Sequence, residues 1–220
     1  MEKTIRVTGK GRMQVKPDTV RLTIRLEGKS KEYDEALKRS AHETKVVKDI
    51  FEDLGFLRDE VKTMSFDVET VYESYKDADG SYKRRHIGYS FTRDVKVEFA
   101  DNKNLLGSIL YNLSRSSVSP EFKIDYTVKN SEEIKNEVMA RAVEDSRKKA
   151  EILCRASGMT LCGVENIDYS WREINFVTTY MSEMAEPVDT ICKSADCYDM
   201  DMAPDDIKVD DTVTIVWGIK

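Results

Sequence analysis

The feature that most constrains this chain is a change of hydrophobic period. Val20-Arg-Leu-Thr-Ile-Arg-Leu26 sets apolar side chains at every second position, with Arg and Thr between them. Successive side chains of a strand point to opposite faces, so the pattern predicts a strand with one buried face. From Ser30 the spacing lengthens, and Tyr33, Leu37, Ala41, Thr44, Val47, Phe51 and Leu54 recur at three or four residues. That is one face of an amphipathic helix, with Ser30 placed to cap its start and Gly55 to follow its last turn.

The alternation of periods continues. Val61 to Tyr75 is rich in strand formers, Asp77-Ala-Asp-Gly80-Ser is turn chemistry, and Tyr82 to Phe99 ends in the alternation Val95, Val97, Phe99. Together they predict a long hairpin. Asp101 is placed to cap a helix through Leu105, Leu106, Ile109, Leu110 and Leu113, and Phe122, Ile124, Tyr126 and Val128 then alternate with Lys, Asp and Thr as another strand. The order from 20 to 128 is β-α-β-β-α-β. Ferredoxin-like domains use this split βαβ order to build a four-stranded antiparallel sheet covered on one face by two helices.

What remains must supply a second pair of layers: strands from Thr4 to Val15, near Val164 to Trp171 and from Lys208 to Ile219, and a helix from Ser131 to Ser157. At 1.5 Å per residue that helix is about 39 Å long. Its apolar stripe is Ile134, Val138, Ala142, Val143, Ala150 and Leu153, and its run Arg147-Lys-Lys-Ala-Glu151 reads as solvated surface. The expected fold class is therefore α+β, built of two-layer sandwiches. A ferredoxin-like βαββαβ lobe at 19–129 is inserted into a second small α/β lobe made by the chain ends, 1–18 and 130–220. Within the second lobe, 182–205 has no stable periodicity and clusters acidic residues and Met184, Met200 and Met202. It is expected to be a long loop.

A chain of 220 residues can bury a real core without disulfides or metals. With 35 basic against 41 acidic side chains the net charge is -6, which repels a phosphate backbone and excludes nucleic acid as a general partner. No apolar run approaches the roughly 18 to 20 residues that span a bilayer, so no transmembrane segment is expected. Met1-Glu-Lys-Thr-Ile5 contains no stretch of signal-peptide length, and the expected location is cytoplasmic.

Residues that could carry chemistry are few. The only histidines are His42, in the first helix, and His86, in the hairpin, too sparse for a histidine-dependent triad. Cys154, Cys162, Cys192 and Cys197 fit neither a disulfide framework nor a paired zinc pattern, and Cys154 and Cys162 read as buried small apolar side chains. Cys192-Lys-Ser-Ala-Asp-Cys197, with Asp199 and Asp201, is a weak candidate metal site of non-standard spacing, and no cofactor is expected. Asp77-Ala-Asp79-Gly80 opens like a calcium loop but lacks its later ligands. Gly9-Lys-Gly11 has no helix N-terminus after it to cradle a phosphate, and in a strand it permits a bulge or close backbone packing.

The phrase Ile5-Arg-Val-Thr8-Gly9-Lys-Gly11, followed by Val15-Lys-Pro17-Asp18 and the alternating strand, resembles the opening of the SIMPL-domain family, which includes bacterial periplasmic immunogenic and stress-related proteins. Leu54-Gly55, Gly88-Tyr89 leading into Val95-Lys-Val97, and Ala140-Arg-Ala142-Val-Glu-Asp145-Ser-Arg-Lys-Lys-Ala150-Glu151 follow in family order. Structural roles account for Thr8, Gly9, Gly11, Pro17, Asp18, Gly88 and Tyr89: strand packing, a turn before the second strand and a bulge. The resemblance implies an α+β subunit, self-assembly in some members, and links to stress tolerance, the cell envelope or protein partners, with no established reaction. The missing export signal marks a cytoplasmic-type member.

The expected function is thus non-enzymatic: a homo-oligomeric or protein-binding module, with an exposed sheet edge as its means. Two alternatives stay open, a metal or small-ligand binder using 192–211 and an unrecognised hydrolase using carboxylates.

Overall fold

The computed structural model describes residues 3–77, 80–118, 120–170, 174, 176–179 and 204–220. The expected loop at 182–205 lies almost wholly outside the described residues. The elements in chain order are β1 (Lys3–Val15), β2 (Thr19–Ser30), α1 (Tyr33–Asp53), β3 (Lys62–Lys76), β4 (Tyr82–Ala100), α2 (Lys103–Arg115), β5 (Glu121–Thr127), α3 (Ser131–Ala156), β6 (Leu161–Asp168), β7 (Thr178–Thr179) and β8 (Ile207–Ile219). The architecture is α+β, helices on antiparallel sheets, in two compact units. One comprises 1–18, 126–178 and 204–220, the other 19–125 and 179–203.

The second of these carries the ferredoxin-like order. Its sheet runs β3-β4-β2-β5-β7, so β4 lies between β2 and β3, the two strands joined through α1. Both β2 and β3 pair antiparallel with β4. The alternation read from Val20 to Leu26 is the cause: Val20, Leu22, Ile24 and Leu26 are buried, as are Phe91, Val95, Val97 and Phe99 across the register. α1 packs on β2 and β4, and α2 packs on α1. Their buried faces carry Ala36, Val47 and Phe51 from α1 and Leu106, Ile109, Leu110 and Leu113 from α2. Each fully buried apolar side chain of this size contributes about 1.5–3 kcal/mol, which is why the stripe decides where the helix lies.

Both helix starts differ from expectation. Ser30 stays in β2, and Glu32 precedes α1 without a side-chain cap. Asn102, not Asp101, caps α2, its side chain accepting from Leu105 N at 3.1 Å. Pairing with Tyr89 holds Ser30 extended, and a sheet ladder outcompetes a local cap.

In the other unit a three-stranded sheet of order β1-β8-β6 is covered by α3. β1 and β8 pair antiparallel without interruption from Lys3↔Ile219 to Val15↔Ile207. The buried stripe of α3 is Val138, Ala142, Ser146, Ala150 and Cys154, each four residues after the last. Leu153, expected on that stripe, is exposed, and Cys162, expected to be buried, lies exposed on β6. The stripe is set by small side chains because β1 allows the helix so close.

Candidate functional site

The approach of α3 to β1 rests on two glycines. A Cβ built on Gly9 would lie 2.0 Å from Ala142 O, and one on Gly11 would lie 1.9 Å from Val138 O. No side chain fits there, so the helix backbone rests on the strand. Ser146 is buried between them and its hydroxyl donates to Val7 O at 3.1 Å while accepting from Trp217 Nε1 at 3.2 Å. Both polar groups of this core are thereby satisfied, which spares roughly 1–3 kcal/mol per group.

β1 is the terminal strand of its sheet, so one row of backbone groups points away from β8. In an antiparallel strand alternate residues face outward, and three of them are met by side chains of α3. Arg141 donates to Arg12 O at 3.2 Å, Lys10 N donates to Asp145 Oδ2 at 2.7 Å, and Lys149 donates to Thr8 O at 3.2 Å. Arg141, Asp145 and Lys149 are spaced four apart and share one side of the helix. Lys149 also pairs with Asp145 at 2.6 Å, and its ammonium together with the Lys10 N–H holds the Asp145 carboxyl below the usual aspartate range. The family-like run from Ala140 to Glu151 is therefore a cover for a strand edge.

β3 is the terminal strand of the other sheet and, among the described residues, has no such cover. Among the described residues, nothing bonds to its outer side. It is 15 residues long, and exposed or half-buried along most of its length. Met64, Phe66, Tyr72 and Tyr75 are exposed. Its ladder to β4 is regular from Ser65 to Val71 and slips at Thr63/Ser65 and at Val71/Tyr72.

The second slip is the place of Gly88-Tyr89. Gly88 has φ +144°, and a Cβ there would lie 2.3 Å from Ser30 O. This backbone turns the hairpin end so that Tyr72, His86, Tyr89 and Tyr33 meet edge to face: 5.9 Å between the Tyr72 and His86 rings, 5.1 Å between His86 and Tyr89, 5.4 Å between Tyr89 and Tyr33. Such pairs contribute about 0.5–1.5 kcal/mol each beyond burial. His86 is thus part of an exposed aromatic cluster, and His42 is exposed on α1.

The other expected residues separate. Thr8 meets Thr214 across the sheet, hydroxyl to hydroxyl at 2.9 Å. After Pro17, Asp18 N donates to Thr127 O at 3.1 Å and Asp18 Oδ1 accepts from Lys129 N at 2.9 Å, which fixes the turn into β2. Cys192, Cys197, Asp199 and Asp201 lie outside the described residues, as does Asp79. Asp211 is buried and accepts from Tyr169 at 2.8 Å, which pushes the Tyr169 phenol up. Among the described residues no group of three or more His, Cys, Asp or Glu is placed to hold a metal, and no helix is long and apolar enough to cross a membrane. A shallow cleft of about 530 Å³ beside β1 is lined by Arg12, Arg141, Lys208 and Asp210, with Asp210 paired to Lys10 at 2.6 Å.

A family model described as SIMPL, protein of unknown function (DUF541), matches residues 5–217. The 26 kDa periplasmic immunogenic protein of Brucella abortus (strain S19) is similar, with 27% identity over 164 residues, 74% of this chain and 65% of that protein. The chain thus matches less than two-thirds of that relative's length. A periplasmic relative overturns the expectation of a cytoplasmic location. That expectation came from the first residues of the sequence alone, which do not decide the compartment. With the family match running through the elements of both units, this chain belongs to the SIMPL family.

Proposed function

We propose that this chain is a non-enzymatic protein-binding module that accepts an added strand along β3. The observation that supports the reading is the uncovered edge: β3 is long, carries exposed Met64, Phe66, Tyr72 and Tyr75, and ends its sheet. Strand addition uses the backbone for affinity and alternate side chains for specificity. An uncovered edge of this length is otherwise a liability, because it templates pairing with any strand that meets it. The strand comes either from a second copy, which gives self-assembly, or from a different protein.

Native mass measurement at micromolar concentration, combined with affinity capture, tests this. The expected result is either a species above the 25.3 kDa monomer or a retained partner. A chain that stays monomeric and retains nothing would sink the reading.

A further inference from the structure

From the charges that flank the open edge, we infer that β3 accepts an extended segment in which apolar and basic side chains alternate, rather than a second β3. The inference rests on the strand-addition reading and names the partner's chemistry.

The two faces of β3 are distinguishable from its cross-strand partners. Phe66 lies opposite Arg93, whose guanidinium sits 4.0 Å over the Phe66 ring and donates to Thr44 of α1 at 2.9 Å. Val68 lies opposite the buried Phe91. Phe66, Val68 and Thr70 therefore face the helix side. Ser65 donates to Asp94 at 3.0 Å, and Asp94 pairs with Arg25 at 2.8 Å, so Ser65, Asp67, Glu69 and Val71 face the open side.

On that open side Asp94 is matched by Arg25, and Glu73, beyond the slip, is matched by Arg85 at 2.7 Å. Asp67 and Glu69 are exposed, lie opposite Thr92 and Ser90, and have no cation partner among the described residues. An added strand places its own side chains directly opposite these, where opposite charges attract and like charges repel. It needs Lys or Arg against Asp67 and Glu69, and apolar residues against Phe66 and Val68. A second β3 paired about this stretch would bring its own carboxylates to the same place.

Length follows from the ladder. Bulges turn a strand's edge away, and β3 slips at both ends of Ser65–Val71. Beyond the second slip Glu73 is already paired with Arg85 and Asp77 with Lys83, so those carboxylates offer little to a basic partner. The segment accepted is therefore about seven residues long.

Fluorescence anisotropy with labelled seven-residue peptides tests this on the full chain, at a concentration where sedimentation reports monomer. The probes are valine alternating with lysine, valine alternating with glutamate, and the lysine composition in block order. We expect the alternating lysine peptide to bind roughly tenfold more tightly than the glutamate peptide, the effect of two cross-strand pairs changing sign. The double variant Asp67→Lys, Glu69→Lys, at two exposed positions and checked for fold by circular dichroism, is expected to reverse that preference. Equal binding of lysine and glutamate peptides overturns the charge assignment and leaves the edge reading standing. Binding of neither overturns the edge reading itself. Equal binding of the block-ordered peptide overturns strand addition in favour of plain charge attraction. Peptide binding that vanishes as the protein self-associates assigns the edge to a second copy and overturns the inference.

Discussion

The edge strands β1 and β3 each close one side of an antiparallel sheet, yet they treat that side in opposite ways. β1 is stripped of side chains where it meets α3, at Gly9 and Gly11, and the helix lies so near that Arg141, Asp145 and Lys149 reach the strand's outward backbone groups. β3 keeps a full set of side chains, among them exposed aromatic rings, and its outer backbone faces solvent among the described residues. Unpaired edges invite other strands, and natural sheets cover, charge or bend the edges they mean to keep to themselves. β1 is covered by a helix. β3 is bent only at its ends, around an open centre. The difference teaches that exposure of β3 is not a general failure to protect edges in this molecule, since the means of protection is present in the other unit.

The strongest way to break this comparison is to lift α3 from β1. Gly11→Val places a side chain where even a Cβ would be 1.9 Å from Val138 O. The backbone oxygen cannot move without the helix, so the variant is expected to lose about 3 kcal/mol or more, the upper end of overpacking costs. Urea unfolding followed by tryptophan fluorescence reads the loss directly. A variant as stable as the parent would mean that the helix is not seated on the glycines.

Those glycines also mark how far the sequence could be read. The alternation of β2 and the second half of the α1 stripe were legible because burial on one face leaves a period, and Val20 to Leu26 and Val47 to Phe51 carry it plainly. In the first half of α1, by contrast, Ala36 and Ser40 are buried while Tyr33 and Ala41, expected on the stripe, are exposed. The hairpin of β3 and β4 was legible from its turn residues. The cover of β1 was not, because Arg147-Lys-Lys-Ala-Glu151 has the same composition whether its lysines face water or a strand. Lys149 binds Thr8 O, while Lys148 points to its own helix and pairs with Glu144, at 2.7 Å. The signal available was the spacing of Arg141, Asp145 and Lys149, one turn apart, joined to a glycine pair in a strand. Ser146 was missed because serine is usually exposed, and it is buried here only because Val7 O and Trp217 Nε1 occupy its hydroxyl. The open edge itself was an expectation that needed strand order, a property of tertiary pairing that no local pattern contains, to find its place on β3.

A middle-sized effect separates cover from packing. Asp145→Ala leaves the glycines alone and removes the acceptor of the Lys10 N–H. The expected cost is about 1 kcal/mol, that of one ordinary hydrogen bond at a site water can reach. Its pH dependence has a definite sign. The Asp145 carboxyl is held below its ordinary value, chiefly by Lys149 and then by the Lys10 N–H. A group so lowered stabilises the fold above its unfolded value, about 3.9, and that contribution is lost as pH falls through the lower folded value. The stability difference between parent and variant is therefore expected to be constant near neutral pH and to shrink below about pH 4. Urea midpoints measured along that series would contradict the assignment if the difference stayed the same at every pH.

The smallest expected change in stability is on the open side, and it sharpens the comparison most. Val68→Lys puts a charge on the helix-side row of β3, between Phe66 and Thr70, at a half-buried position with solvent beside it. A long amphipathic side chain can lay its stem over apolar neighbours and keep its ammonium in water, so the cost is expected to stay under about 1 kcal/mol. Inward-pointing charges of this kind are what natural edge strands use to refuse a partner. The variant should therefore fold almost as well as the parent yet lose whatever association the native mass or capture experiment detects. Set beside Gly11→Val, it asks whether two substitutions on two edge strands divide cleanly, one spending stability and the other spending only contact with other chains. If Val68→Lys retained association in full, the open centre of β3 would not be the surface through which this chain meets its partners.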